Sequence, residues 1–588
     1  MIRSTQRSIK LIMLKLFFRY SKGYRFRAVM ASLTIALEVV FEVLIPFVLK
    51  DVINEGIFGE GGMQLVVEKG LLMIALACIS LLCGVLSGWF GVSASTGFAT
   101  NLRQAIFHKI QDFSFANIDK FSTASLVTRS TTDVTNLQQT FMMGTRMLIR
   151  SPMMLVASTI MAATISGDTS VIFAVTLPIM AVFMGLVAIK TYPRFKRMFE
   201  KYDTMNRQVQ ESLIAVRIVK AFVREDYEYQ RYAFRADEVR DANVKAEKLL
   251  VLSGPMANLI LYGSIIATCL VAGNHIIAGD MLVGDMSSFI SYIAQILTSV
   301  MMITMIFVNI VMSRASAARI MELLTEEIDI TDDKADPNLK VPDGSISFQN
   351  VSFSYSKDGG NLTLRNINID IKSGETIGII GGTGSSKTTF VQLIPRLYDV
   401  YDGIVKVGGR DVREYTLKNI RDAVSMVLQK NVLFSGTIEE NLRWGDMEAD
   451  HDEIVSACES AQASGFISEF PDGYDTELGQ GGVNVSGGQK QRLCIARALL
   501  KHPKIIILDD STSAVDTATD KKIRDAFKNE LSGITTIIIA QRITSVMDAD
   551  RIIVMHDGEI NAIGTHDELM KTSDIYKEVF SSQQKGVA

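Results

Sequence analysis
The chain has 588 residues, enough for two or more domains, and 48% of them are hydrophobic while 21% are charged. A mean hydropathy of +0.23 is high for a water-soluble protein, so a membrane part joined to a soluble part is expected. The net charge of −4 argues against a nucleic-acid partner, and five scattered cysteines form neither metal-ligand spacing nor a disulfide framework.

The N-terminus is basic (Arg3, Arg7, Lys10, Lys15, Arg19) without a short apolar segment and cleavage site, and reads as a cytosolic elbow near the membrane surface. Six apolar segments then follow, each long enough to cross a bilayer: Val29–Leu49, Gly70–Val92, Met143–Ile165, Ser170–Ile189, Val251–Ala272 and Met286–Met312. Ser166–Thr169 makes a tight hairpin between the third and fourth, and Gly273–Asp285 joins the fifth to the sixth. The connections Ser93–Met142 and Lys190–Leu250 are long and helical in pattern. They carry Arg103, Lys109, Lys120, Arg129, Arg194, Lys196, Arg197, Arg207, Arg217 and Lys220, whereas the first short loop carries Glu55, Glu60 and Glu68. The excess of Lys and Arg puts the long connections and both termini in the cytosol.

Two loop tips mix apolar and charged residues as docking helices do. One runs from Phe115–Phe121 into Leu126–Val134, and the other is Glu211–Phe222. In the first span Glu38 and Glu42 lie four residues apart on one helix face. Carboxylates at membrane depth are costly, so the pair is either a substrate or gate site or a helix-packing contact near Pro46. Methionines crowd the spans (Met142, Met143, Met147, Met153, Met154, Met161, Met301, Met302, Met305, Met312) and suit either an adaptable substrate cavity or ordinary lipid and core contacts.

Residues 1–325 are thus read as a transmembrane domain, 326–342 as a polar linker, and 343–588 as an α/β domain in which strands and helices alternate. Ser345–Phe348 and Val351–Tyr355 read as its first two strands. In the stretch Gly381, Gly382, Thr383, Gly384, Ser385, Ser386, Lys387, Thr388, Thr389, a buried strand leads through a Gly-rich turn into a helix. This is the arrangement that presents backbone N–H groups to phosphates, with Lys387 on the β/γ oxygens and the Thr388 hydroxyl on Mg²⁺. Ser386 is off pattern, because glycine ordinarily precedes the lysine. Ser486 is placed to cap a helix whose N-terminal Gly487 and Gly488 expose N–H groups to an anion, and Ile505–Leu508 is a buried strand ending in Asp509, a second Mg²⁺ ligand.

With these motifs in this order, nearly the whole chain resembles the ATP-binding cassette (ABC) exporters: a six-span helical membrane domain followed by one phosphate-loop nucleotide-binding domain. The resemblance implies that Tyr355 stacks on adenine and that Gln429 is the Q-loop residue, a further Mg²⁺ contact facing the membrane domain. It makes Val485, Ser486, Gly487, Gly488 and Gln489 a signature motif serving the facing subunit in trans, and Asp516 the D-loop aspartate. The loop tips match coupling helices. The position of the catalytic glutamate is filled by Asp510 and that of the switch histidine by Gln541, so the site is expected to bind Mg-ATP and hydrolyse it slowly. An intact signature beside a weakened catalytic set implies a heterodimer with a homologous half-transporter that keeps Glu and His. ATP-driven export of hydrophobic or amphipathic compounds across a bacterial plasma membrane is the function implied. A lipid or glycolipid flippase and an ATP-gated channel or regulator are the rivals.

Overall fold
The computed structural model describes residues 13, 15–333, 335–356, 359–510, 517–530 and 533–585. The basic stretch Arg3–Lys10 and Asp516 lie outside them. The chain forms two compact units. One comprises 1–111 and 122–326; the other comprises 112–121 and 327–588.

The first unit holds six candidate membrane spans: Arg25–Ile57, Gly62–Gln111, Thr123–Ile165, Gly167–Ile214, Glu225–Ala278 and Val283–Thr325. At 1.5 Å rise per residue, the 50 residues of the second helix extend about 75 Å, well over twice a hydrocarbon core of about 30 Å. The helices therefore continue far beyond the apolar segments. The fifth-to-sixth connection is shorter than the sequence suggests, because the helix runs on to Ala278 and stops at Gly279 in a left-handed conformation (φ +85°). Many apolar side chains face outward, as a lipid solvent requires: Leu71, Ile74 and Leu81 are all more than half exposed.

Val39 and Val43 of the first span pack with Met154, Phe173, Met180, Met184, Phe289, Tyr292 and Ile296 in a common core. Pro46 removes one backbone donor from the first helix, and polar side chains of the last span complete the wall there. Ser288 Oγ donates to the Pro46 carbonyl at 2.5 Å and Tyr292 Oη to the Val43 carbonyl at 2.9 Å.

The structure divides the first loop tip. Leu126–Val134 belongs to the helical unit, where its inner face is anchored: Arg129 is buried, donates to the Arg319 carbonyl and pairs with Glu322 at 2.9 Å, and fully buried Asp133 is held by Arg319. The helix Phe115–Phe121 belongs to the second unit. There Phe115 stands edge-on to Tyr398, Tyr398 Oη donates to Asp119 Oδ2 at 2.8 Å, and Asn117 Nδ2 donates to the Glu327 carbonyl at 3.0 Å.

In the second unit a six-stranded sheet runs in the order Glu559–Gly564, Arg551–His556, Thr376–Gly381, Thr535–Ile539, Ile505–Asp509, Val424–Val427. All pairings are parallel except the edge hairpin 551–564. A parallel sheet covered on both faces needs apolar residues at every position. Accordingly Ile505 and Ile507 enter one core cluster while Ile506 and Leu508 enter the other. A second, antiparallel sheet contains Ile346–Phe353. The two strands expected from 345 to 355 are one continuous strand, irregular where Asn350 adopts φ +51°.

Candidate nucleotide site
Parallel pairing brings four strand ends to one edge of the main sheet. The strand Thr376–Gly381 delivers the glycine-rich loop, Thr535–Ile539 delivers Gln541, Ile505–Asp509 delivers Asp509 and Asp510, and Val424–Val427 delivers Gln429. Ligands of parallel α/β sheets gather at this carboxyl edge.

The loop shows why its small residues are needed. A Cβ on Gly381 would run into the Met555 carbonyl and the Ser385 hydroxyl, and Gly384 has φ +83°. Gly382, Thr383 and Gly384 are exposed, so their backbone N–H groups are accessible to an anion. Ser386 stands at φ 70°, ψ 25°, the left-handed conformation in which a Cβ costs about 1–2 kcal/mol. The helix Lys387–Gln392 starts directly after it. Lys387 Nζ donates to the carbonyls of Gly381 and Gly382, both at 2.9 Å, and to Ser385 Oγ at 3.3 Å. Burial holds this ammonium below the ordinary lysine range, against the pull of Asp509 and Asp510.

Asp509 is buried. Its Oδ1 accepts from Thr388 Oγ1 at 3.1 Å, and its Oδ2 has no hydrogen-bond partner. Burial raises its carboxyl above the usual carboxylate range, outweighing the Thr388 hydrogen bond. An orphaned carboxylate oxygen beside a hydroxyl fits the oxygen donor set of Mg²⁺, which would be held by Asp509 and Thr388. Gln429 lies exposed beyond the neighbouring strand.

Asp510 adopts φ +51° and its backbone N–H donates to the Ile539 carbonyl at 3.0 Å. Gln541 Nε2 donates to Asp510 Oδ2 at 2.6 Å, so the two residues expected from the sequence to replace a catalytic pair are in direct contact. Tyr355 is about half exposed, donates to or accepts from Thr389 Oγ1 at 2.9 Å, and stands perpendicular to the Tyr398 ring at 5.3 Å.

The residues expected to form a signature motif lie in a different part of this unit. Val485 is buried under Ser486, whose Oγ accepts from Gln489 N–H at 3.3 Å while Gln489 Oε1 accepts from Ser486 N–H at 2.8 Å. This reciprocal capping box starts the helix Gly487–Leu499 and leaves Ser486 and Gly487 exposed, with Gly488 half-buried behind them.

In the helical unit Arg150 bridges Glu38 (3.3 Å) and Glu42 (2.6 Å). One turn earlier Arg146 Nε donates to Ser87 Oγ at 3.2 Å. Sequence reasoning missed both arginines, although their i, i+4 spacing inside an apolar span is the same signal that singled out the two glutamates.

The ABC transporter transmembrane region family matches residues 28–300, and the ABC transporter family matches 364–513. The uncharacterized ABC transporter ATP-binding protein YfiB of Bacillus subtilis is 35% identical over 564 residues, which is 96% of this chain and 97% of that protein. The putative multidrug export ATP-binding/permease protein YgaD of the same organism is 32% identical over 492 residues, 82% of this chain and 83% of its own length. A bacterial Atm1-family ABC exporter solved with ATP bound superposes with a TM-score of 0.83 at 26% identity, covering 95% of this chain and 99% of that one. Six apolar helices, an α/β unit with its phosphate loop at the sheet's carboxyl edge, and full-length similarity of this kind place the chain among the ABC transporters, as an exporter half-transporter: an integral membrane protein whose ATPase is coupled to transport.

Proposed function
We propose that this chain is one half of a heterodimeric ABC exporter for hydrophobic or amphipathic compounds, and that its own phosphate loop forms an ATP site that hydrolyses slowly. The observation that carries this reading is the convergence of Ser386, Asp510 and Gln541 at one sheet edge, with Gln541 hydrogen-bonded to Asp510. An aspartate carboxylate is one methylene short of a glutamate's reach to an attacking water, and a misplacement of about 1 Å costs on the order of 100-fold. Here one of its oxygens is also engaged by an amide. Gln541 hydrogen-bonds phosphate but relays no proton.

Lys387, Thr388 and Asp509 are kept for binding. Mg²⁺, when bound, neutralises charge developing on the β and γ phosphates. The intact capping box at Ser486–Gln489 suits a second subunit's nucleotide. Leu213, Ile214, Ile218, Phe222 and Val223 are each more than 60% exposed at the second loop tip, an apolar surface suited to a partner's nucleotide-binding domain. ATP closing the paired domains would move the coupling segments and turn the cavity outward. Similarity to a putative multidrug export protein supports the substrate class, and the lysine- and arginine-rich connections support a cytosolic nucleotide domain. We read the source membrane as bacterial plasma membrane.

The test compares ATP turnover of the purified chain alone and with its partner, alongside transport of fluorescent amphiphiles into vesicles. Slow turnover alone and rapid turnover in the pair are expected. Rapid turnover of the single chain, abolished by Asp510→Ala, would sink the slow-site reading.

A further inference from the structure
Beyond the strand Thr535–Ile539 the chain passes through Ala540, Gln541 and Arg542 into the turn Ile543–Ser545. The Ala540 N–H still joins the sheet, donating to the Ile379 carbonyl at 3.3 Å. Past it, a backbone acceptor on Gln541 and a donor on Ile543 have left the ladder, and a neighbouring element must satisfy them.

That element is the helix Asp574–Lys585. It is anchored by fully buried Tyr576, whose hydroxyl pairs with His566 Nδ1 at 2.7 Å, and by Val579 and Phe580 against the core. Near its end Gln583 Nε2 donates to the Gln541 carbonyl at 2.7 Å, and Gln583 Oε1 accepts from the Ile543 N–H at 2.9 Å. One planar amide thus spans the loop as an adjacent strand would. Its two ends meet opposite partners, so only one orientation satisfies both. The same Gln541 donates through its side chain to Asp510. One hydrogen bond holds its carbonyl, a second holds the Ile543 N–H two residues on, and a third directs its amide.

We propose that Gln583 is a positioning residue for the switch loop. On this assignment the C-terminal helix sets the population of loop conformers from which Gln541 reaches the γ-phosphate, and so the lifetime of bound Mg-ATP. The proposal rests on the reading of this site as one that holds ATP. A side chain that works only by hydrogen bonding has little reach of its own, so the backbone beneath it must be fixed.

The experiment uses the full chain in detergent, with hydrogen exchange over 540–545 and stopped-flow release of a fluorescent Mg-ATP analogue. Gln583→Ala is expected to speed exchange at Ile543 and to accelerate release about tenfold, as loss of two backbone hydrogen bonds lowers the competent population. Gln584→Ala, an exposed neighbour on the same helix, is expected to change neither. Gln541→Ala is expected to match Gln583→Ala in release. Unchanged exchange in Gln583→Ala, or faster exchange with unchanged release, would overturn the proposal. Rapid release from the parent chain itself would instead sink the ATP-holding reading, while the exchange comparison would still decide whether Gln583 holds the loop.

Discussion
On the slow-site proposal, placing glutamate at 510 and histidine at 541 is the sharpest perturbation of the site. Asp510→Glu advances the carboxylate by one methylene, and placement errors of about 1 Å are worth roughly 100-fold. Two features of the structure reduce that gain. Asp510 sits at φ +51°, where aspartate is better tolerated than glutamate, so the longer residue carries strain of up to about 1 kcal/mol. Gln541 also donates to Asp510 Oδ2 at 2.6 Å, a hydrogen bond that a longer carboxylate must break or re-form. The single substitution is therefore expected to raise turnover at this site by about tenfold or less. The double variant Asp510→Glu, Gln541→His removes the amide and supplies a titratable ring, and is expected to reach about 100-fold. On the proposed pairing, the assay is phosphate release from the assembled pair with the glutamate proposed for the partner changed to glutamine, so that only this site counts. If the double variant binds Mg-ATP normally and still turns over at the parent rate, the assignment of slow hydrolysis to these residues is refuted.

Ser386→Gly removes a Cβ from a left-handed residue and is expected to stabilise the nucleotide-binding unit by about 1 kcal/mol, read as a rise of roughly 2–4 °C in its thermal transition. Asp509→Asn is expected to raise the melting temperature without nucleotide and to abolish stabilisation by Mg-ATP. Since burial raises the folded-state pKa of Asp509, its neutral form stabilises the empty site below the ordinary aspartate pKa, and that contribution is lost as pH rises through the raised value. A parent-minus-variant stability difference that grew with pH would contradict this sign. Tyr398→Phe deletes the hydroxyl that holds Asp119 and is expected to weaken seating of Phe115–Phe121 by about 1 kcal/mol, seen as reduced substrate stimulation of ATP turnover with unchanged nucleotide affinity. Arg150→Gln leaves Glu38 and Glu42 facing each other without a cation and is expected to cost on the order of 2 kcal/mol, relieved by Glu38→Gln in the same chain; thermal unfolding in detergent reads both.

The membrane half was legible because apolar length alone reports a span. Its two arginines at 146 and 150 were overlooked for the same reason: in an average over about twenty residues they do not interrupt the segment. Among the nucleotide-site residues, the phosphate loop and the Ser486 cap were readable because they are local devices, a turn and a helix start, whose chemistry lies within a few neighbouring residues. The sequence reading divides Ile346–Phe353 into two strands, whereas pairing on both edges carries one strand through the irregularity at Asn350.

The sequence by itself determined six apolar spans and an α/β cassette with a phosphate loop, and it raised the expectation that Ser386, Asp510 and Gln541 weaken the site. Tertiary structure alone decided that Asp510 and Gln541, 31 residues apart, touch; that Gln583 holds the backbone beneath Gln541 from 42 residues away; and that Phe115–Phe121 packs with Tyr398 across a separation of nearly 300 residues. The physical reason is the range of the forces involved. Helix caps and glycine turns are written over three to nine residues, but a parallel sheet aligns strand ends from remote parts of the chain, and side-chain hydrogen bonds reach only about 3 Å from wherever that alignment leaves them.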